Sequence, residues 1–172
     1  DIIYSLDSIY YMNVPIKYIP KRLSGRDKVK QTKQLKKSRL AYKKGKYIHR
    51  KPVKSFTSKK SQHIINAEKI YKVNPFKIDK HLVKATGCTR KALNKIVKKG
   101  QGAYYSSGSR PNQTAHSWGY ARLASSITAG KAAAIDYNIL EEGCSTGSKA
   151  LKLAKKARKQ HGYGTRRVQK IK

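Results

Sequence analysis

Acidic residues are what this chain has least of. Eight Asp and Glu stand against 41 Lys and Arg in 172 residues, a formal net charge of +33. Charge of one sign repels itself and opposes compaction, and a net charge of about 2–8 already keeps a small domain in solution. A solvated surface on an ordinary soluble protein is therefore a poor account of it. The excess calls for a polyanion, an anionic membrane or acidic protein neighbours. So few carboxylates also leave few candidates for general acid–base or two-metal chemistry. Glu141 and Glu142 are the only adjacent pair, and neighbours on a helix diverge rather than face one bond.

Other absences narrow the class further. GxxxxGK[ST], GxGxxG and HExxH do not occur, and Ser106, Ser107 and Ser109 stand beside no His/Asp set. The reading is a protein that is not an enzyme, with no catalytic residue, no metal, no cofactor and no small-molecule substrate. Cys88 and Cys144 are far apart and form no CxxC pattern, which argues against a disulfide framework and against zinc. His49, His63, His81, His116 and His161 are scattered and read as surface side chains. No apolar run approaches the ~20 residues needed to span a bilayer. The chain starts at Asp1 rather than Met and reads as a processed product or a fragment.

What is present is organised by lysine-studded helical stretches and the turns between them. Length and composition suit one domain, or one domain with an arm, and the apolar fraction of 38% implies a modest core. The fold class expected is mainly α: a small helical domain with a helix-turn-helix-like pair, extended basic linkers and an N-terminal apolar arm. The divisions expected are an arm at 1–24, a basic helix and linker at 25–57, a helical domain at 58–161 and a basic tail at 162–172.

The arm is rich in Ile and Tyr, which favour extended structure. Pro15 and Pro20 exclude a continuing helix in its second half. Ile3, Tyr4, Ile9, Tyr10 and Tyr11 would form its interface with a neighbour, or the stretch would be an edge strand of the same domain. Asp27 is placed to cap a helix over Lys28–Lys44 that stops at Gly45. Lys46–Phe56 mixes basic and aromatic residues around Pro52, a composition suited to tracking phosphates with ring contacts. Ser58 or Ser61 would cap the next helix, which ends by Asn74-Pro75.

From Asp79 to Gly100 the pattern is that of a helix-turn-helix. Asp79 caps a short helix ending at Gly87, and Thr89 caps a second ending at Gly100. Arg90, Lys91, Asn94, Lys95 and Lys98 would lie on the exposed side of the second helix, able to meet phosphates or base edges. An αα-hairpin with a basic outer face fits the same spacing. Lys98–Thr114 then reads as a long ordered loop. Three glycines and a proline argue against helix, while Tyr104, Tyr105 and Arg110 offer a shaped contact surface, inside the domain or against a partner. Two Ala-rich helices follow, through Trp118 and over Lys131–Glu142, with low charge suited to a core. Ser148 caps a last basic amphipathic helix.

Two blocks carry a resemblance. Lys98–Cys144, with SSGSRPNQT followed by SWGYARLAS, and Tyr18–Phe56 together resemble small basic proteins of unassigned function in large nucleocytoplasmic DNA viruses of algae and protists. The resemblance covers most of the chain, leaves the arm before Tyr18 unmatched and implies a viral origin. It brings no catalytic residue. With the charge and the arm, it points to a minor capsid protein of the virion, met in the host cell during assembly. Its partners would be the major and minor capsid proteins, with viral DNA or the inner membrane surface as further anionic contacts. The alternative is a non-sequence-specific DNA-binding protein of the viral core that condenses or packages the genome.

Overall fold

The computed structural model describes residues 14–164 and 170–171, so Ile3, Tyr4, Ile9, Tyr10 and Tyr11 lie outside the described residues. The protein is mainly α, as its periodicity predicts. The described chain divides into two compact units. One comprises residues 14–59 and 102–115 with the strand at 170–171. The other comprises residues 60–101 and 116–164. The first unit thus takes in residues 14–24, expected as arm, and 102–115, expected within the helical domain.

The first unit opens on β1 (Val14–Pro15), which pairs antiparallel with β2 (Lys170–Ile171). A single 3-10 turn, Ile16–Tyr18, leads toward α1 (Gly25–Lys43). Ser24, not Asp27, is the N-cap: its hydroxyl accepts the Asp27 amide at 3.2 Å. Asp27 sits in the first turn, where a carboxylate also suits the helix dipole. Gly45 follows the helix with φ +72°, as the sequence predicts. The buried line of α1 is Asp27, Gln31, Leu35 and Ser38, mostly polar at helical spacing.

The basic–aromatic stretch after α1 has no regular structure through residue 59, yet it is held. Gln34 accepts the Lys51 amide at 2.6 Å and donates to the Lys51 carbonyl at 2.9 Å. Asn112 does the same to Val53, at 2.7 and 3.1 Å, and donates to the Phe56 carbonyl at 2.7 Å. Two side-chain amides stand in for a neighbouring strand, meeting the backbone's obligatory hydrogen-bonding groups at alternate residues. Val53 and Phe56 are thereby seated in a small apolar cluster with Leu23.

The second unit contains α2 (Gln62–Tyr71), α3 (Lys80–Thr86), most of α4 (Arg90–Ser106), α5 (Ala115–Ser126), α6 (Lys131–Ile135), α7 (Tyr137–Gly143) and α8 (Lys149–His161). Asp79 caps α3 through the Leu82 amide at 2.9 Å, and the Thr89 hydroxyl accepts the Ala92 amide at 3.2 Å to start α4. The buried Thr86, an unusual polar residue for such a pair, donates its hydroxyl to the Leu82 carbonyl at 2.7 Å and accepts the Cys88 amide. Ser148 caps α8 through the Leu151 amide. The core gathers Leu82, Leu93, Ile96, Leu123, Ile127 and Leu140 with alanines of α5, α6 and α8.

Three expectations are corrected here. Cys88 and Cys144 form a disulfide and pair as an isolated antiparallel bridge, flanked by Thr89 N–H to Gly143 O and Ser145 N–H to Gly87 O. Spacing along the chain could not show that the turn after α3 meets the end of α7. The second correction concerns Gly100, which does not end α4; the helix runs on to Ser106. A Cβ on Gly100 would stand 2.6 Å from the Gly119 Cα, and one on Gly119 would stand 2.7 Å from the Val97 carbonyl. Both residues let two backbones approach closely, so Gly100 serves contact rather than interruption.

The third is that Lys131–Glu142 is not one helix but α6 and α7, divided at Asp136. The Asp136 side chain is fully buried. Arg122 meets it bidentately at 2.9 and 2.8 Å, Lys99 donates at 2.8 Å and the Ser126 hydroxyl at 2.9 Å. Burial pushes this carboxyl up, but Arg122 and Lys99 together outweigh burial and hold it below the usual range.

Candidate functional site

The described part of the first unit is strongly basic. Between residues 14 and 59 and again between 102 and 115, Asp27 is the sole acidic residue. Asp27 is engaged internally: the Ser55 hydroxyl donates to it at 2.5 Å and the Ser55 amide at 2.7 Å. These hydrogen bonds hold its carboxyl below the ordinary value. On the outer arc of α1, Arg26, Lys30, Lys33 and Lys37 are exposed at i, i+4, i+7 and i+11, an unbroken cationic ridge.

The unit's interior carries a cation as well. Arg50 lies half-buried with its guanidinium 3.8 Å from the centre of the Tyr104 ring. Its described hydrogen-bond partners are all neutral: Ser38 Oγ at 2.8 Å, the Tyr104 carbonyl at 2.8 Å and Ser109 Oγ at 2.9 Å. The Arg50 amide in turn donates to the Tyr104 hydroxyl at 3.1 Å. Burial lowers the Arg50 pKa, with Tyr104 and Tyr18 acting in the opposite direction. Burial also raises the Tyr18 phenol, against the pull of Arg50, Arg110 and Arg39. Gln31 donates to the Tyr18 and Ser109 carbonyls, tying these parts together.

The expected loop residues part company here. Tyr104 is 1% exposed and cannot face a partner; it is the platform under Arg50, and this corrects its assignment as a contact residue. Its ring is fixed because α4 continues past Gly102, which places positions 104 and 105 on a helix rather than a flexible loop. Tyr105 is half-buried and meets Tyr47 edge-on at 5.0 Å. Arg110 is exposed. With Lys17, Lys21 and Arg22 it lines an open groove of about 430 Å³ floored by Ile16, Ile19, Pro20 and Phe56. The turn that presents Arg110 depends on Gly108, at φ +112°, where a Cβ would stand 2.7 Å from Leu35 Cδ2.

In the second unit, Arg90, Lys91, Asn94, Lys95 and Lys98 are all exposed on the outer face of α4, while Leu93, Ile96 and Val97 turn inward. The Arg90 guanidinium also donates to the Ile78 carbonyl at 3.1 Å. These five belong to one surface; Tyr104, Tyr105 and Arg110 belong to the other unit.

Sequence reading missed Arg50, Asn112 and the Asp136 set. Arg50 was one cation among many, and only the fold shows it under a ring. A signal did exist for Asp136, as the one acid between Asp79 and Glu141. Among the described residues no group of His, Cys, Asp and Glu could hold a metal ion, and no helix is long and apolar enough to cross a membrane.

What the two surfaces share is chemistry for anions: exposed ammonium and guanidinium groups on rigid helices, and a cation-lined groove. The chain belongs to a family of unknown function, DUF5824, which matches residues 15–141. That span contains α1, the α3–α4 pair and the residues around Arg50. No curated protein and no solved structure matches the chain.

Proposed function

We propose that this chain is a structural protein of a large DNA virus particle, a minor capsid component that bridges acidic neighbours beneath the outer shell. The observation that carries this reading is the basic unit at 14–59 and 102–115, whose one carboxylate is engaged by Ser55. Among the described residues, its cationic ridge on α1 has no opposite charge of its own unit to face. An assembly partner rich in carboxylates would supply it and relieve the self-repulsion. The resemblance to viral proteins supplies the setting. Gentle disruption of particles followed by nuclease treatment tests the proposal. The protein is expected to stay with stripped shell fragments, and release with the genome core would sink it.

A second reading, genome binding, is favoured by one particular feature. The exposed Arg90, Lys91, Asn94, Lys95 and Lys98 form a continuous helical face after a tight turn, a geometry that can lie along phosphates. Binding of that kind would be mainly electrostatic, with affinity falling by orders of magnitude as salt rises.

A further inference from the structure

The segment YKKGKYIHR, from Tyr42 to Arg50, places aromatic rings and cations in alternation around the turn at Gly45. In the fold the rings come together. Tyr42 meets Tyr47 edge-on with centroids 6.0 Å apart, Tyr47 meets Tyr105 at 5.0 Å, and His49 meets Tyr105 at 5.8 Å. Behind them Tyr105 stands against the buried Tyr104 at 5.0 Å, close to a right angle. The group is therefore anchored at one end and open at the other. Tyr47 is 65% exposed and Tyr42 37%, and Lys43, Lys44, Lys46 and His49 beside them are exposed too.

Packing does not account for this arrangement. Aromatic rings are normally withdrawn from water because they carry much apolar area. Here the ring furthest into solvent, Tyr47, bridges Tyr42 and Tyr105. It sits where ammonium groups would bring a chain of phosphates.

We propose that the Tyr42–Tyr47–Tyr105 cluster is a stacking site for unpaired nucleobases, by which the protein holds single-stranded nucleic acid. It rests on the polyanion-binding reading above and adds a base-contacting element to it. Every base has a π face, so stacking tolerates sequence, while flanking lysines follow the backbone. A duplex keeps those faces inside its own stack, so an exposed ring selects the single strand over the duplex. Acidic protein and anionic lipid satisfy the lysines but leave Tyr47 without a flat partner.

The test uses the full chain, a labelled oligothymidylate, a duplex of equal length and inorganic polyphosphate. Tyr47→Ala is expected to weaken oligothymidylate binding by roughly 5- to 100-fold. It should leave duplex and polyphosphate affinities within about twofold, since no cation is removed. Tyr47→Phe should restore binding, which separates stacking from any role of the hydroxyl. Circular dichroism checks that the variants keep their helices. Equal weakening on all three probes, or none on oligothymidylate, overturns the stacking site alone. If the wild-type chain binds polyphosphate but prefers anionic phospholipid vesicles to oligothymidylate, the site is likewise overturned. If polyphosphate itself fails to bind at low salt, the broader polyanion reading falls with it.

Discussion

The two units solve the problem of burying polar groups in opposite ways. In the second, one acid is fully buried and two cations are brought to it: Arg122 and Lys99 converge on Asp136, and the Ser126 hydroxyl completes the set. In the first, the half-buried cation Arg50 is met by a ring, two hydroxyls and a carbonyl, with no described carboxylate among its partners. The buried charge of the second unit is thus neutralised from within. The first keeps nearly all its charge for outside use, and it does so by substituting amides and hydroxyls for acids throughout. Gln31, Gln34, Ser38, Ser109 and Asn112 do the work that carboxylates would do in a protein with balanced charge.

The comparison is broken most severely at Arg122. Arg122→Met leaves the fully buried Asp136 with Lys99 and a hydroxyl, and removing one partner of a buried pair costs about 3–5 kcal/mol. Trp118, the single tryptophan, lies in the second unit, so its fluorescence during urea unfolding should report the loss directly. Acid should act on the same group. Asp136 has a lowered folded-state pKa, so its contribution is fully present above the ordinary carboxylate value near 4 and fades as pH falls through the folded value. In Arg122→Met that acid sensitivity should shrink.

A smaller effect comes from overpacking. Gly100→Ala forces a methyl against the Gly119 backbone, and should cost about 1–3 kcal/mol in the same urea titration. Gly102 offers the contrast: a Cβ there meets nothing within 4 Å, so Gly102→Ala should stabilise by about 0.5–1 kcal/mol through helix propensity. Opposite signs at two glycines of one helix would separate contact from conformational freedom. In the first unit, Asn112→Ala strips the amide from Val53 and Phe56 and should cost about 1–2 kcal/mol. Its signature is location. Amide exchange should quicken at Val53, whose N–H loses its acceptor, while Trp118 fluorescence stays unchanged.

The sequence made visible whatever was local. The caps at Asp79, Thr89 and Ser148, the stop at Gly45 and the apolar faces of α3, α4 and α8 follow from a few neighbouring residues, and they set the fold class. What it concealed depended on residues far apart. Whether Gly100 breaks a helix or seats one is decided by Gly119. Whether Tyr104 faces outward is decided by Arg50, and Asn112 matters because Val53 runs beside it. Lys131–Glu142 read as one helix because alanine predominates, and the division at Asp136 needed Lys99 and Arg122 to explain it. Of the candidate contact residues, the five on α4 and Arg110 are exposed, Tyr105 is half so, and Tyr104 is interior.

The disulfide between Cys88 and Cys144 makes a ring of the chain across a separation of 56 positions. Inside that ring lies the whole of segment 102–115, which belongs to the basic unit although both of its ends run into the other one. On a chain-entropy view, closing a loop this long limits the unfolded ensemble by about 4 kcal/mol. It also changes what damage means. The turn after α4, with Ser107 and Arg110 exposed, lies within the ring. A cut there would open a circle, not sever a thread, and no piece would be released.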